Sequence, residues 1–310
     1  MMNLNEEVSL SGIAFSLGEE ENDYSKAENF DNLLVDYTMT DMPDYWGWGK
    51  YRKASSSIYE LLTKSIEKTI SSVPISASGI DLVIFCSGSS IENFPLVNEK
   101  LGRLIHNAGI HEAFILGQCF TGCVSIFTAI KLSNELLKAD VYKNILIITS
   151  DVISHGVDRF KRFALYSDSS SSFIMSKSFK GDYKILNVAI SSSPELMSGL
   201  STNHDSHFKH LNSVHNKLLT EIDLKATDFE KIFMTNLYIP LTQINSIRLG
   251  YGKEKGFYEN IKRLGHCFSS DPLINLIDYR GANLNAVTKN KFMLAAMSTG
   301  HAGFCAIEEY

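Results

Sequence analysis

The sequence lacks several features that mark specialised classes of protein. Among its 310 residues are only six prolines and five cysteines, and the cysteines do not show the paired spacing of zinc sites. The net charge is −6, so the basic surface expected of a nucleic-acid or anionic-lipid binding protein is missing. The longest apolar runs, such as ILII at 145–148, are far too short to span a bilayer. We therefore predict no metal site, no nucleic-acid partner and no membrane segment.

The overall composition is that of an ordinary globular chain. Hydrophobic residues make up 44% of the sequence and charged residues 21%. The length allows one large domain or two medium ones, with a well-buried core. The start, MMNLNEEVSL, is acidic and does not have the basic-then-apolar pattern of a secretion signal. We expect a cytoplasmic enzyme, or a protein related to one, with reduced cysteines.

Short apolar runs alternate with segments of helical periodicity along the chain. The runs predict strands at 8–16, 80–86, 113–118, 143–149, 171–175, 184–190, 231–236 and 292–298. The periodic segments predict helices at 55–72, 95–109 and 123–139. Such alternation is typical of layered α/β proteins with a mostly parallel sheet. The polar stretch 191–220 does not follow the pattern, and we interpret it as a lid that leads into a helix near 210–222.

Cys119 lies where the strand AFILGQ is predicted to pass into a helix. Backbone N–H groups and the helix dipole at such a turn favour the thiolate, which is a nucleophile suited to acyl transfer. Gly122 gives the turn conformational freedom and lets a thioester approach closely. Free cysteines are more often small buried hydrophobic residues. This segment alone therefore leaves both interpretations of Cys119 and Cys123 open.

A series of motifs resembles, in order, those of the thiolase superfamily, and most closely those of 3-oxoacyl-ACP synthase III. AFILGQCFTG is similar to the strand that leads into the nucleophilic cysteine of that family. Other similar segments are IDLVIFCSGSSIENFP (80–95), KNILIITSDVIS (143–154), YSDSSSSFIM (166–175) and the glycine-containing TGHAGFCAIEEY (299–310). The resemblance covers most of residues 80–310 and extends more loosely over the first 80.

The resemblance implies a thiolase-like α/β fold. Two similar βαβαβαββ halves, residues 1–176 and 177–310, would pack as an α-β-α-β-α five-layer sandwich. It also implies dimerisation across the region of the cysteine-bearing strand, either as a homodimer or as a heterodimer with a paralogous ketosynthase.

The chain departs from this family at the two residues that assist the cysteine. The family has a histidine in Pro-His-Gln-Ala-Asn and an asparagine in Gly-Asn-Thr, and both donate hydrogen bonds to the thioester oxygen. Here MTNLYIPLTQIN carries Asn236, and RLGHCFSSDP carries His266. We expect Cys119, Asn236 and His266 to form the catalytic site, with the two residue types exchanged. His266 would then act as a general base, or the exchange would preserve both donors and ordinary decarboxylative condensation.

Cys123 is the alternative nucleophile. Counting forward from the Phe-Pro at 94–95 favours Cys119, as does the likeness of Cys-Phe-Thr-Gly to the active-site turn of chalcone synthases. Counting backward from the Ser-Asp at 150–151 along the intervening helix favours Cys123. Our expectation is Cys119, with Cys123 left open.

Five further residues are predicted to contact the substrate. Trp48 and Arg52 lie in the region that contacts coenzyme A or phosphopantetheine in the resembled family, and such side chains stack on adenine and pair with phosphate. A surface helix start explains them equally well. Gly300 and His301 lie in the closing hairpin, whose N–H groups would help to form the oxyanion hole, and Phe120 would shorten an acyl tunnel.

These expectations together predict a ping-pong acyltransferase that requires no cofactor. An acyl group from acyl-ACP or acyl-CoA would load onto Cys119 and pass to malonyl-ACP or to an amine or hydroxyl acceptor, with an acyl carrier protein as partner. The departures from the family suggest specialised metabolism. The competing hypothesis is a non-catalytic partner subunit of a heteromeric ketosynthase.

Overall fold

Strands and helices alternate along the chain in a computed structural model that describes residues 7–88, 94–199, 204–283 and 289–310. The strands are β1 (Ser9–Leu17), β2 (Glu20–Asp23), β3 (Lys50–Lys53), β4 (Leu82–Cys86), β5 (Phe114–Gln118), β6 (Asn144–Asp151), β7 (Ser169–Ser176), β8 (Tyr183–Ser192), β9 (Lys231–Phe233), β10 (Lys291–Ser298) and β11 (His301–Glu309). The helices are α1 (Phe30–Asp36), α2 (Pro43–Trp46), α3 (Ile58–Ser72), α4 (Phe94–Asn107), α5 (Ser125–Lys138), α6 (Pro194–Met197), α7 (His204–Ile222), α8 (Ile239–Arg248), α9 (Glu259–Leu264) and α10 (Asp271–Ala282).

The large sheet repeats one strand arrangement on its two sides. Its order in the described chain is β5-β4-β6-β7-β1-β8-β11-β10-β9, with β2 and β3 forming a separate pair. On each side the first strand pairs antiparallel with the last, β1 with β7 and β8 with β11. The expectation of a mostly parallel sheet is therefore wrong, because five of the eight strand pairs described in the large sheet are antiparallel. The two sides join where β1 meets β8 at two register pairs, Ser9 with Lys184 and Leu10 with Tyr183. The division of the chain into halves at 176/177 stays a prediction.

Neighbouring residues of a strand are buried in different layers. Side chains alternate between the two faces of a sheet, so Leu82 and Ile84 of β4 belong to the central core, whereas Val83 and Phe85 pack towards α3 and α4. Because both faces are covered, these strands are apolar throughout, which explains why short apolar runs predicted them.

Helices α5 and α10 form the middle layer. Phe127 and Ile130 of α5 and Leu273 of α10 belong to one core cluster that also contains residues from strands of both sides of the sheet. The outer layers are α3 with α4 on one side and α7 on the other. The predicted sequence of five layers, α-β-α-β-α, is therefore present.

In the described part of 191–220 the helix expected near 210–222 is present, but it begins earlier and belongs to an outer layer instead of following a lid. Helix α7 begins at His204 and packs against β8 and β11. Its buried apolar side chains are Phe208, Leu211, Val214 and Leu218. The polar residues that suggested a lid therefore include the solvent side of an amphipathic outer helix. Among the described residues, no helix combines the length and hydropathy needed to cross a membrane.

Candidate active site

The turn after β5 places Cys123 at the start of the central helix. The chain passes through a short 3-10 turn, Gly122–Val124, and α5 begins at Ser125. Gly122 has φ +53°, and a Cβ at this position would lie 3.2 Å from the Ser298 side chain. Ser298 donates a hydrogen bond of 2.9 Å from Oγ to the Thr121 carbonyl, which ties the end of β10 to this turn.

A second turn, from a distant part of the chain, brings His266 to the same place. Gly265 has φ +68°, and a Cβ there would lie only 2.3 Å from the Leu165 carbonyl oxygen, so the turn requires glycine. The His266 N–H donates to that carbonyl at 2.7 Å. As a result, His266 Nε2 lies 3.4 Å from Cys123 Sγ.

Asp271 completes a Cys–His–Asp arrangement. This fully buried carboxylate contacts His266 Nδ1 through Oδ2, and the same oxygen accepts the Asn236 N–H at 2.7 Å. Its Oδ1 accepts the Cys267 N–H at 2.7 Å. Sequence reasoning missed Asp271, although Asp-Pro at the first turn of a helix, five residues after the candidate histidine, was a usable signal.

The surroundings of His266 favour its protonated form. Burial disfavours the imidazolium, but the negative charges of Asp271 and Cys123 and their hydrogen bonds outweigh burial and raise the pKa of His266 to about 10. Tyr166 and Phe268 both pack near the ring, with centroids 5.0 and 5.3 Å from that of His266, and they stack on each other with centroids 4.6 Å apart. The imidazole is thus held by aromatic contacts as well as by Asp271.

Cys119 lies in a different environment. It is half-buried, and burial together with the nearby Asp151 carboxylate raises the pKa of its thiol. Asp151 is fully buried and accepts hydrogen bonds from Ser87 Oγ and Gly88 N–H. Among the hydrogen bonds of the described residues, none joins Cys119 to His266. The structure therefore brings Cys123, in place of the expected Cys119, to the histidine.

Asn236 lies next to the Cys123–His266–Asp271 arrangement, and its side-chain amide is bonded to other groups. Its Nδ2 donates to the Gly265 carbonyl at 2.9 Å and to Asp271 Oδ1 at 3.1 Å, and its Oδ1 accepts from Asn275 Nδ2 at 2.9 Å. Both amide hydrogens are thereby engaged. Asn236 thus holds the Asp271 carboxylate by a hydrogen bond. Neither of its side-chain N–H groups is left over for the donation to a thioester oxygen that the sequence led us to expect.

Comparisons with known proteins bear on the family. Residues 119–194 match the family model described as 3-oxoacyl-[acyl-carrier-protein (ACP)] synthase III. Over 120 residues the chain is 31% identical to a beta-ketoacyl-[acyl-carrier-protein] synthase III of Rickettsia rickettsii, which covers 38% of this chain and 36% of that protein. A Rickettsia felis protein of the same description is 28% identical over a similar span. The matched region is thus about a third of the length of these relatives.

Solved structures extend the comparison to nearly the whole chain. The 3-oxoacyl-[acyl-carrier-protein] synthase III of Aquifex aeolicus superposes with a TM-score of 0.79 at 15% identity, covering 98% of this chain and 100% of that one. OleA of Xanthomonas campestris gives a TM-score of 0.80 at 11% identity, covering 98% and 99%. ChlB3, described as an acyltransferase, gives 0.83 at 13%, covering 98% of each. The chain has a thiolase-like fold and resembles 3-oxoacyl-ACP synthase III. The expected fold class is confirmed.

The predicted coenzyme-binding pair of this thiolase-like chain is engaged elsewhere. Trp48 is 1% exposed and packs among aromatic rings, including Phe160 and Tyr238. Arg52 forms an ion pair with Glu21 of the neighbouring strand. Trp48 therefore has no open face on which adenine could stack, and these contacts do not support the prediction for either residue.

The remaining predicted substrate contacts are Phe120, Gly300 and His301. Phe120 is 95% exposed. His301 Nδ1 pairs with Ser192 Oγ at 2.7 Å, and the Gly300 carbonyl accepts the Ser193 N–H. Roles for Phe120, Gly300 and His301 in substrate binding stay predictions. Within the described residues, no group of three or more His, Cys, Asp or Glu side chains is arranged to hold a metal ion.

Proposed function

We propose that this chain is an acyl-transferring enzyme whose nucleophile is Cys123, with His266 and Asp271 as its proton-handling partners. The observation that carries the proposal is the 3.4 Å contact between Cys123 Sγ and His266 Nε2, backed by the contact of His266 Nδ1 with a buried carboxylate. Nucleophile, base and orienting acid in that order are the arrangement used for covalent acyl transfer on unrelated folds.

The acylation step follows from the charges of the pair. An imidazolium at His266 stabilises a thiolate at Cys123, and the start of α5 adds a favourable helix dipole. The Sγ atom attacks the thioester carbonyl, a carbon–sulfur bond to Cys123 forms, and the carbon–sulfur bond to the donor breaks. The departing thiolate takes the proton from His266 Nε2, which leaves a neutral imidazole.

The acyl donor is proposed from the relatives. Their descriptions name the acyl carrier protein, so acyl-ACP, or acyl-CoA with the same phosphopantetheine thioester, is the proposed donor. Partnership with a carrier protein and dimerisation stay predictions.

The site favours an amine or hydroxyl acceptor over malonyl-ACP. Decarboxylative condensation in the resembled family uses two side-chain donors on the thioester oxygen, and here the amide hydrogens of Asn236 are engaged. Acylation of Cys123 removes the negative charge that helps to raise the pKa of His266, so the imidazole holds a proton less tightly and stays neutral more readily in the acyl-enzyme. It would then accept the proton of an incoming amine or hydroxyl as that group attacks the acyl carbon.

Intact-mass spectrometry in two stages tests the proposal. In the first stage, the protein is incubated with acyl-CoA and acyl-ACP donors of different chain length. We expect an acyl adduct that Cys123→Ala abolishes and that the matched control Cys119→Ala retains. Loss of the adduct in Cys119→Ala alone would assign the nucleophile to Cys119, and no adduct with any donor would favour the non-catalytic partner hypothesis.

In the second stage, the acyl-enzyme is challenged with malonyl-ACP and, separately, with amines and alcohols. We expect the heteroatom nucleophiles to discharge it without release of carbon dioxide. Discharge by malonyl-ACP with stoichiometric carbon dioxide would show that the enzyme condenses instead.

A further inference from the structure

Three buried asparagines connect the catalytic group to the protein surface. Asn236, Asn275 and Asn260 are each at most 3% exposed. Asn275 Nδ2 donates to Asn236 Oδ1 at 2.9 Å, and Asn260 Nδ2 donates to Asn275 Oδ1 at 2.8 Å. Beyond them lie Arg263 and Asp278, an ion pair with partly exposed side chains.

Helical spacing explains how these side chains line up. Asp271, Asn275 and Asp278 occupy positions i, i+4 and i+7 of α10, which share one face of a helix. Asn260 and Arg263 are three residues apart on α9 and face the same stripe. A polar stripe on a largely buried helix is unusual, because each of its groups needs a partner.

The chain of hydrogen bonds has one direction. Arg263 has only donors, and its Nε donates to Asn260 Oδ1 at 2.8 Å, so the amide nitrogen of Asn260 must point inwards. That nitrogen donates to Asn275 Oδ1 and also to Asp278 Oδ2 at 2.8 Å, and the amide nitrogen of Asn275 donates to Asn236 Oδ1 and to the Met234 carbonyl at 3.0 Å.

At the inner end, Asn236 Nδ2 donates to Asp271 Oδ1, an acceptor-only carboxylate. With a donor-only cation at one end and an acceptor-only anion at the other, a reversed amide would leave buried donors or acceptors unpaired.

We propose that Arg263 and Asn275 are positioning residues that act through Asn260 and Asn236 to fix the Asp271 carboxylate, and through it the His266 imidazole, in the geometry that activates Cys123. The inference rests on the proposed function, because it takes Cys123, His266 and Asp271 as the reacting group. Among the described residues, Tyr166 also faces His266, besides Cys123 and Asp271, and its ring packs on the imidazole.

The experiment measures the rate at which iodoacetamide alkylates Cys123, by peptide mass spectrometry, from pH 5 to 10. This readout needs no acyl substrate, so it stays informative if the acyl-transfer proposal fails. The variants are Asn275→Leu, which removes the donor to Asn236 without adding charge, and Arg263→Gln, which replaces a donor-only group by an amide that also accepts.

Two variants serve as matched controls. Arg263→Lys keeps a donor-only cation, and Asn283→Leu removes an exposed asparagine at the end of α10 whose Nδ2 donates to the Tyr279 carbonyl. Asn275→Leu changes a buried residue and risks unfolding the protein, so its fold is checked by circular dichroism. If that variant does not fold, the comparison of Arg263→Gln with Arg263→Lys tests the inference by itself.

We expect Asn275→Leu and Arg263→Gln to slow alkylation at pH 7 by about 2- to 30-fold and to shift the pH profile, whereas Arg263→Lys and Asn283→Leu match the unmodified protein. Unchanged rates and profiles in both Asn275→Leu and Arg263→Gln would overturn the inference. It is equally overturned if His266→Ala leaves the profile unchanged. An alkylation result as expected, combined with no acyl adduct, would reject acyl transfer and retain the positioning chain.

Discussion

Cys119 and Cys123 are four residues apart but face different groups. Cys119 lies beside the Asp151 carboxylate, which together with burial raises the pKa of its thiol. Cys123 contacts the imidazole of His266, a residue 143 positions later in the chain. Both cysteines lie in the same turn of the sequence, so the local sequence does not decide which of them is the nucleophile. They are distinguished by His266, which a distant turn of the chain brings to Cys123.

The turn at Gly265 provides a prediction at the scale of one residue. Gly265→Ala would place a methyl group against the Leu165 carbonyl, in a backbone conformation of φ +68° and ψ −152° that is essentially restricted to glycine, so we expect the unfolding free energy to fall by about 2 kcal/mol or more. Urea unfolding at pH 7 measures it.

The matched control for this change is Gly102→Ala inside α4. No heavy atom lies within 4 Å of an added Cβ there, and alanine is expected to stabilise the helix by about 0.5–1 kcal/mol. Equal effects of the two substitutions would contradict the proposed requirement for glycine at position 265.

The candidate site was predictable from the sequence only in part. The resemblance singled out positions 236 and 266, and His266 is at the cysteine, although Asn236 supports Asp271 instead. The burial of Trp48 was not predictable, because the local sequence around an aromatic residue near basic side chains is the same whether its ring is exposed or buried in an aromatic cluster. Asp271 was missed because its role depends on a buried partner.

Among the secondary-structure elements, the strands that are buried are the ones that the apolar runs predicted well. The strand expected at 184–190 is β8, Tyr183–Ser192, and that at 143–149 is β6, Asn144–Asp151. The strand expected at 231–236 ends at Phe233, and the residues that follow lead to Asn236. Apolar runs therefore located the strands, whereas the site residues just beyond a strand end depend on tertiary contacts that the pattern does not contain.

Helix α7 carries a buried histidine that makes stability depend on pH. His215 Nε2 pairs with the Tyr251 hydroxyl at 2.8 Å, and burial lowers the pKa of His215 to about 4. The unfolded chain has the ordinary value of about 6.5, so between these values it binds a proton that the folded chain does not. At neutral and higher pH, His215 therefore does not affect the free energy of unfolding. As the pH falls from about 6.5 towards about 4, protonation of His215 in the unfolded chain lowers that free energy.

We expect His215 to remove about 2 kcal/mol of unfolding free energy between pH 7 and pH 5. Urea unfolding at both pH values measures it, and His215→Gln should be correspondingly less sensitive to pH. His207→Gln, on the same helix but only partly buried, is the matched control and should keep the full dependence. An identical pH dependence in the His215 variant and the unmodified protein would reject this account.

At the scale of the whole molecule, the two sides of the sheet share their core. Phe127 and Ile130 of α5 pack in one cluster with Val8 and Leu10 from one side and Val188 from the other. Trp48 and Phe160 likewise pack against Tyr238, which belongs to the second predicted half. Separation of the halves at 176/177 would expose apolar surface on both pieces, at a cost that scales with the area uncovered.

We therefore predict that the chain unfolds as one cooperative unit. Trp48 lies in the first predicted half but rests on Tyr238, with ring centroids 5.8 Å apart, so tryptophan fluorescence reports on the packing between the halves. Far-UV circular dichroism reports on the helices of both. In urea the two signals should give coincident transitions, because loss of either half removes the partner that buries the face of α5. Fluorescence that changes at clearly lower urea than circular dichroism would show that the halves separate first and keep independent cores.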